Sequence, residues 1–294
     1  MARDHRTAAR LDPARARTCL ATIAAAVALA AGSAARASEA ADPLAAHVRP
    51  TDPLAPEEER AGFLLPPGFT AELVAAEDRI AKPMNLAFDD RGRLWVSCSL
   101  EYPFAAPADR AGRDRIVIVA DRDGDGSWED VTTFADGLNV PIGLVPVADG
   151  VICFSIPHIW HLRDVDGDDR VDERVVLYGP LGWEKDTHGL CNAFRPGPDG
   201  WIHACHGFNN QTRVAGSDGH AVAMQSGNTF RFRPDGRRIE HFTWGQVNPF
   251  GMDFDDRGDL FTADCHTSRS RCCCARGATR ASANRTTGSD SCPR

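Results

Sequence analysis

Residues 83–96 read PMNLAFDDRGRLWV, and the same pattern returns three times along the chain. The other copies are residues 141–154 (PIGLVPVADGVICF), 188–203 (HGLCNAFRPGPDGWIH) and 249–262 (PFGMDFDDRGDLFT). Each copy runs from a short apolar stretch through a polar turn into a second β-rich stretch, which predicts a β-hairpin. The turn glycines, spaced 58, 50 and 58 residues apart, are Gly92, Gly150, Gly200 and Gly258.

A repeat of short strands with this period is typical of a β-propeller, in which each blade is a four-stranded sheet. We therefore predict an all-β fold with about four blades over residues 63–268 and no long helix inside it. A set of unrelated hairpins is the alternative. Such propellers usually close with roughly six or more blades, so we expect a fragment whose end sheets stay open.

The composition describes an ordinary globular protein and excludes some partners. The chain has 294 residues, of which 43% are hydrophobic and 25% are charged, enough for one large β domain. Its net charge is −8, and no basic patch dominates the predicted domain. A nucleic-acid partner is therefore not expected.

The N-terminus has the pattern of a targeting segment. Several arginines precede an apolar run at residues 20–31, and Ala35-Arg36-Ala37 follows as a cleavage site. This predicts a signal peptide over residues 1–37 and an exported protein, periplasmic or at the outer surface. An uncleaved segment that anchors the protein to a membrane is the alternative. Residues 38–62, rich in alanine, proline and charge, are predicted to be a linker.

The last residues do not resemble the rest of the chain. Residues 269–294 have no apolar periodicity and contain three consecutive cysteines. With plausible codons, a reading frame offset by two bases from Arg271 onward spells a more protein-like sequence. We therefore predict an aberrant, disordered tail produced by a frameshift, and a natural protein that continues.

The ten cysteines leave two interpretations open. In an exported protein some of those near the hairpins would form disulfides. Alternatively they are small buried thiols, which is the interpretation that we favour. The cysteines in or beside the hairpins are Cys98, Cys153, Cys191, Cys205 and Cys265.

Two aspartate-rich turns are candidate calcium sites. Carboxylates at alternate positions, with glycine at the bend, suit the oxygen coordination of Ca²⁺. The flanking sequences favour strands, so these turns are not EF-hands, and any metal would have a structural role. Solvated turns without a metal are the alternative. The candidate ligands are Asp121, Asp123, Asp125 and Glu129 in the first turn, and Asp164, Asp166, Asp168 and Asp172 in the second.

His188 is the candidate catalytic residue among ten histidines. It lies where the third hairpin begins, and the first strands of propeller blades begin at the central funnel. A histidine at such a place can act as a general base near neutral pH. We expect its imidazole to face the funnel near Asn248, with Asp186 as a candidate orienting group.

The third copy of the pattern resembles the catalytic-histidine blade of the soluble quinoprotein glucose/sorbosone dehydrogenases, through His188-Gly189-Leu190, residues 197–202 (GPDGWI) and Gly207. Residues 248–252 (NPFGM) resemble the segment of those enzymes whose asparagine contacts the quinone. The resemblance implies a six-bladed propeller, pyrroloquinoline quinone as cofactor, His188 as base and Asn248 as a cofactor contact. Val247 stands where those enzymes have an arginine.

The order of motifs over about residues 63–268 is similar to the N-terminal propeller of the predicted membrane-bound dehydrogenases of the planctomycete type. The motifs are residues 65–69 (LPPGF), 72–75 (ELVA), 88–96 (FDDRGRLWV), 114–116 (DRI) and 134–139 (FADGLN). Many members of that family continue into helical repeats and a cytochrome-c-like module. This chain has no C-x-x-C-H motif, so no haem is expected within it.

These resemblances imply an enzyme that oxidises a hydroxyl group of a small sugar or polyol. His188 would take the hydroxyl proton, and the quinone would supply the redox chemistry. Two alternatives remain: a non-catalytic propeller that binds carbohydrate or protein, and a calcium-dependent lactonase-like propeller. The last would use asparagines such as Asn139, Asn192 and Asn248 around an axial metal.

Overall fold

The computed structural model describes residues 51–77, residues 79–265 and the backbone of residues 271–273. The chain divides into two compact units, Met1–Ala55 and Pro56–Arg294. Of the first unit only residues 51–55 are described, and they form no helix or strand. The predicted signal peptide, residues 1–37, lies outside the described residues.

The part of the chain predicted to be a linker contains one short helix, α1 (Pro56–Ala61). Its first turn carries Glu57, Glu58 and Glu59, whose negative charge is favourable at a helix N-terminus. None of its residues is buried. The described residues contain no helix that is long and apolar enough to span a membrane.

The first sheet is an antiparallel meander of four strands in sequence order. The strands are β1 (Pro83–Phe88), β2 (Leu94–Cys98), β3 (Asp114–Ala120) and β4 (Asp130–Leu138). The turn between β1 and β2 is held by Asp89, whose Oδ1 accepts hydrogen bonds from the backbone amides of Arg91 and Arg93. Gly92 completes this turn with a φ of 76°, a backbone conformation that glycine adopts without strain.

The second sheet repeats the same topology. Its strands are β5 (Ile142–Val147), β6 (Gly150–Ser155), β7 (His158–Arg163) and β8 (Glu173–Tyr178).

The third sheet contains an inserted hairpin. The strands, in sequence order, are β9 (Cys191–Pro196), β10 (Ile202–His206), β11 (Gln211–Ala215), β12 (Ala221–Gln225), β13 (Asn228–Phe232) and β14 (Ile239–Trp244). The sheet has the order β14-β13-β10-β9, and among the described strands β11 pairs only with β12. The hairpin β11–β12 therefore extends the connection between the second and third strands of this sheet.

The fourth sheet has three described strands, β15 (Pro249–Phe254), β16 (Leu260–Asp264) and β17 (Arg271–Cys273). Strand β17 belongs to the segment that the sequence predicted to be disordered, yet its three residues pair antiparallel with β16. These three residues therefore form a strand of the fourth sheet, in contrast to the predicted disorder. Residues 266–270 and 274–294 lie outside the described part.

The four sheets are arranged as the blades of a propeller. The first strands of successive sheets contact one another in the order β1, β5, β9 and β15. Each first strand also carries a β-bulge where it pairs with its neighbour, which bends the strand. The prediction of an all-β propeller is confirmed; the number of blades that closes it stays a prediction.

The apolar cores lie between consecutive sheets. One core cluster joins Trp95 and Ile116 of the first sheet to Leu144 of the second. The largest cluster joins the second sheet to the third through Phe154, Phe194 and other side chains. A smaller one joins the third sheet to Met252 and Leu260 of the fourth.

Because the strands alternate in direction, the connections divide between two ends of each sheet. The hairpin turns at the four repeat glycines lie at one end, which we call the turn end. The starts of β1, β5, β9 and β15 lie at the opposite end, which we call the funnel end. The long loop between β2 and β3 and the hairpin β11–β12 also lie at the funnel end.

Candidate functional site

His188 lies at the funnel end, in a single 3₁₀ turn, Thr187–Gly189, just before β9. Asp186 caps this turn, and its Oδ1 accepts a hydrogen bond of 2.8 Å from the backbone amide of His188. The same carboxylate oxygen lies 3.3 Å from Nδ1 of the imidazole. The side chain of His188 is 63% exposed, so Nε2 is the nitrogen that remains for a ligand.

The loop between β2 and β3 supports this turn from the first sheet. The ring of Tyr102 packs edge-to-face on the imidazole of His188, with 5.4 Å between the ring centroids. The Thr187 hydroxyl donates a hydrogen bond to the backbone carbonyl of Pro103. His188 is therefore positioned by one distant segment, the β2–β3 loop, as well as by its own turn.

Asn248 lies at the same end, and a glycine separates it from the histidine turn. A Cβ atom at Gly207 would lie 2.8 Å from Asn248 Oδ1 and 2.8 Å from the Cα of Gly189. Only glycine lets these three segments approach so closely. The structure thus brings the start of β9 and the start of β15 together.

The amide group of Asn248 is already used within the protein. Its Oδ1 accepts a hydrogen bond of 2.9 Å from the backbone amide of Phe208, and its Nδ2 donates to Cys265 Sγ at 3.2 Å. The residue is only 7% exposed. Asn248 therefore fastens the segments around it, and its amide does not fit a contact to a quinone in this arrangement.

The nearby arginines are also engaged. Glu101, in the β2–β3 loop, accepts hydrogen bonds from the guanidinium groups of Arg110 and Arg113. The bonds from Arg110 lower the pKa of Glu101 to about 2, against its burial, which would raise it. Glu101 thus pairs with both guanidinium groups, so neither of them is an unpaired cation. Val247, at the position of the missing arginine, supplies no charge.

The sequence analysis did not identify Glu101 and Tyr102 as residues of the candidate site at the funnel end. The connected residue Asp114 was noticed only as part of a family motif. Its buried carboxylate accepts four hydrogen bonds, from the Ser99 hydroxyl and from the backbone amides of residues 100, 101 and 140. The only local signal for this network was the charged residue Asp114 at the start of the apolar strand β3.

The candidate calcium ligands lie at the turn end, away from His188. Carboxylate oxygens of Asp121, Asp123 and Asp125 lie within 4.8 Å of one another, as do those of a second group, Asp164, Asp166 and Asp172. Glu129 and Asp168 belong to neither group. Separations of this size suit oxygen atoms that share one Ca²⁺.

The backbone of each loop also uses these carboxylates. Asp121 accepts hydrogen bonds from the amides of Gly124 and Gly126, and Asp164 accepts from the amide of Gly167. Asp169, next to the second group, forms ion pairs with Arg93 and Arg122. The two acidic loops are thus joined to each other through arginines of the first sheet.

Two further histidines and five cysteines among the described residues have structural surroundings. His203 is buried between the rings of Phe242 and Phe254. Burial lowers the pKa of His203 and of His158, so both favour the neutral form. Cys98, Cys153, Cys191, Cys205 and Cys265 form no disulfide in the described part of the chain, and the first four are buried.

The three asparagines considered for an axial metal do not offer a shared ligand set. Asn139 Oδ1 accepts a hydrogen bond from the amide of Ala106, and Asn248 is engaged as described above. Asn192 Oδ1 is the exception, since it is buried without a partner in the described part of the chain. One free oxygen does not make a metal site.

Solved structures with some similarity are propellers of several activities. A gluconolactonase from Xanthomonas campestris is 18% identical, with a TM-score of 0.43 over 66% of this chain and 58% of that one. The PQQ domain of a pyranose dehydrogenase from Coprinopsis cinerea is 15% identical, with a TM-score of 0.42 over 63% and 44%. A PQQ-bound aldose sugar dehydrogenase from Streptomyces coelicolor is 18% identical, with a TM-score of 0.39 over 63% and 57%. These similarities are too low to assign a function.

The chain spans about half of the length of these proteins. No curated protein matches it. A family model, described as a domain of unknown function (DUF7133), matches residues 55–290, which include most of the predicted tail. The frameshift at the tail stays a prediction. Because the match covers most of the sequence, the chain belongs to the DUF7133 family.

Proposed function

We propose that the funnel end belongs to an exported dehydrogenase that oxidises a sugar or polyol hydroxyl, with His188 as the general base. The observation that carries this proposal is the exposed imidazole of His188, fixed between Asp186 and Tyr102 where the first strands converge. An oriented imidazole with one free nitrogen is the arrangement that proton abstraction needs.

In this proposal each residue has one task. Nε2 of His188 accepts the proton of the substrate hydroxyl. Asp186, 3.3 Å from Nδ1, orients the ring and stabilises the imidazolium that forms. Tyr102 restricts the ring from the opposite segment. The proton is later released to water, since the side chain is exposed.

A quinone-type cofactor, pyrroloquinoline quinone in the resembled enzymes, would supply the two-electron oxidation. The described residues fit the proton-accepting part of such a site and do not fit the quinone contact, because the amide of Asn248 is engaged. We therefore assign no catalytic step to the cofactor. A cytochrome-c-like module in a longer form of the protein would be a suitable electron acceptor.

The test of this proposal is the substitution His188→Gln in a protein whose reading frame from Arg271 onward is restored. Glutamine keeps a polar side chain but cannot accept the proton, so we expect turnover to fall by about 10²–10⁴-fold while folding is retained. The measurement is quinone-dependent dye reduction with a panel of sugars and polyols.

The matched control is His158→Gln at the start of β7 in the second sheet, which is expected to keep full turnover. Full turnover by His188→Gln would exclude this histidine as the base. If the restored protein oxidises no sugar or polyol, the binding-propeller alternative replaces the dehydrogenase.

We also propose that Ca²⁺ occupies at least one of the two acidic groups at the turn end. The convergence of three carboxylates in each group supports this proposal. The ion would hold the β3–β4 and β7–β8 connections and would take no part in the reaction.

A further inference from the structure

A cleft of about 700 Å³ opens beside the hairpin β11–β12, between this hairpin and the end of β14. Its walls include Gln211, Arg213, Gln225, His241 and Trp244. Neither His188 nor any residue of its turn lines the cleft, so it is separate from the proposed proton-transfer site.

The hairpin presents a fixed polar surface to this cleft. Its residues alternate between buried and exposed positions along both strands. Val214, Val222 and Met224 anchor the hairpin in the largest core cluster. Gln211 and Gln225, paired across the two strands, point the other way and are exposed. A rigid hairpin therefore holds two amide side chains at the cleft.

Trp244 provides an apolar wall. The residue is 44% exposed, so its indole is accessible from the cleft. Its ring packs against the imidazole of His241 at 4.6 Å between centroids, which fixes its orientation. His241 Nε2 is buried and has no hydrogen-bond partner in the described part of the chain. The cleft thus combines an accessible indole with an unsatisfied polar atom.

The charge of the cleft is opposite to that of the protein. The chain carries a net charge of −8, yet none of the described residues that line the cleft is an aspartate or a glutamate. Arg213 lines it, is exposed and makes no ion pair with any described residue. An unpaired guanidinium in such surroundings is suited to bidentate binding of a carboxylate.

We propose that this cleft binds an acidic saccharide, a sugar ring that carries a carboxylate as in a uronic acid. The indole of Trp244 would pack on the apolar face of the ring, as amphipathic aromatic side chains do. Arg213 would bind the carboxylate, and the amides of Gln211 and Gln225 would bind hydroxyl groups. Saccharide chemistry is favoured because an apolar face and several hydroxyls match one indole flanked by two amides.

The test is calorimetric titration of the 294-residue chain with trigalacturonic acid, with neutral maltotriose as the comparison probe. We expect the acidic probe to bind at least about tenfold more tightly than the neutral one. Its affinity should fall when salt is raised from roughly 0.05 M to roughly 0.5 M, because screening weakens the contact with the guanidinium. Equal affinity for the two probes, or no binding of trigalacturonic acid, would overturn the proposal.

Three variants locate the binding. Arg213→Gln should lower the affinity for trigalacturonic acid to the level of maltotriose, and Trp244→Ala should lower the affinity for both probes by about tenfold or more. Ala223→Phe fills the cleft from an exposed position and removes no polar group, so it should block binding even if Trp244→Ala perturbs folding. The matched controls, Arg237→Gln and Phe104→Ala, change exposed residues outside the cleft. Unchanged affinity in Arg213→Gln and Ala223→Phe would show that the saccharide binds elsewhere.

Discussion

At the residue scale, Glu101 shows how one buried carboxylate makes the fold sensitive to acid. Its hydrogen bonds from Arg110 hold its pKa at about 2, below its ordinary value of 4.5. A carboxyl group whose pKa is lowered on folding stabilises the native state above its unfolded pKa. That stability is lost as the pH falls from 4.5 toward about 2. In this range the carboxylate of Glu101 is protonated in the unfolded chain but not in the folded protein, which favours the unfolded state.

We therefore predict that Glu101→Gln lowers the free energy of unfolding at pH 7 and flattens its decline between pH 4.5 and about 2. Denaturant unfolding at a series of pH values measures both effects. Glu72→Gln, at an exposed glutamate, is the control and should change neither. An equal slope in wild type and Glu101→Gln below pH 4.5 would contradict the assignment.

His188 and Glu101 also differ in how visible they are in the sequence. His188 is the first residue of the third copy of the repeat, so its place at the start of a first strand could be predicted from the pattern. Glu101 lies in an irregular loop, and its partners Arg110 and Arg113 follow 9 and 12 residues later without any repeat. Irregular loops have no periodicity from which contacts can be read.

At the element scale, the bulges that bend the first strands depend on single residues. Gly143 forms the bulge of β5 with a φ of 70°, and a Cβ atom there would lie 2.7 Å from the ring of Phe194. Gly92 has a similar φ of 76°, but a Cβ atom there would meet open space. An alanine at Gly92 would therefore introduce backbone strain alone, whereas an alanine at Gly143 would introduce the same strain together with a steric overlap.

We predict that Gly92→Ala costs about 1–2 kcal/mol of unfolding free energy, from the left-handed backbone alone. Gly143→Ala should cost a further ~1–3 kcal/mol, because Phe194 must move in a packed core between the second and third sheets. Denaturant midpoints of the two variants give the comparison directly. Equal losses would mean that the core at Phe194 adapts without cost.

The acidic loops allow a second prediction at this scale. If Ca²⁺ binds a loop, its addition at about one hundred times the dissociation constant should stabilise the fold by about 2.7 kcal/mol, seen as a rise in Tm. Asp123→Asn combined with Asp125→Asn should reduce this rise, whereas Asp90→Asn, at an exposed aspartate outside both groups, should not. A Tm that responds neither to Ca²⁺ nor to a chelator would leave both loops as solvated turns.

At the scale of the whole propeller, the first and fourth described sheets present apolar side chains to solvent. Leu86 and Phe88 are exposed and pair with Val96 and Leu94, so they lie on the face of the first sheet that is turned away from the second. Phe261 is exposed on the fourth sheet. In a propeller such faces are covered by neighbouring blades, and exposed apolar faces favour association.

We predict that the 294-residue chain self-associates through these faces. Leu86→Glu combined with Phe88→Glu should reduce the associated fraction in sedimentation velocity without unfolding the protein, because both side chains are already exposed. Phe104→Glu, at an exposed loop residue, serves as the control and should leave association unchanged. A wild-type chain that sediments as a monomer at every concentration would contradict the prediction.

The sequence by itself determined the architecture: an all-β repeat whose hairpins, turn glycines and order along the chain are all local features. The alternation of apolar and polar residues in strands and the residue preferences of turns act over a few residues, so both can be recognised in a single sequence. Only the tertiary structure decided what the candidate residues can do. The side-chain amide of Asn248 accepts a hydrogen bond from Phe208, 40 residues away, and is therefore not available to a ligand. The cleft beside Trp244 forms between the hairpin β11–β12 and the distant strand β14. Contacts between distant segments depend on how whole sheets pack, and no local pattern encodes them.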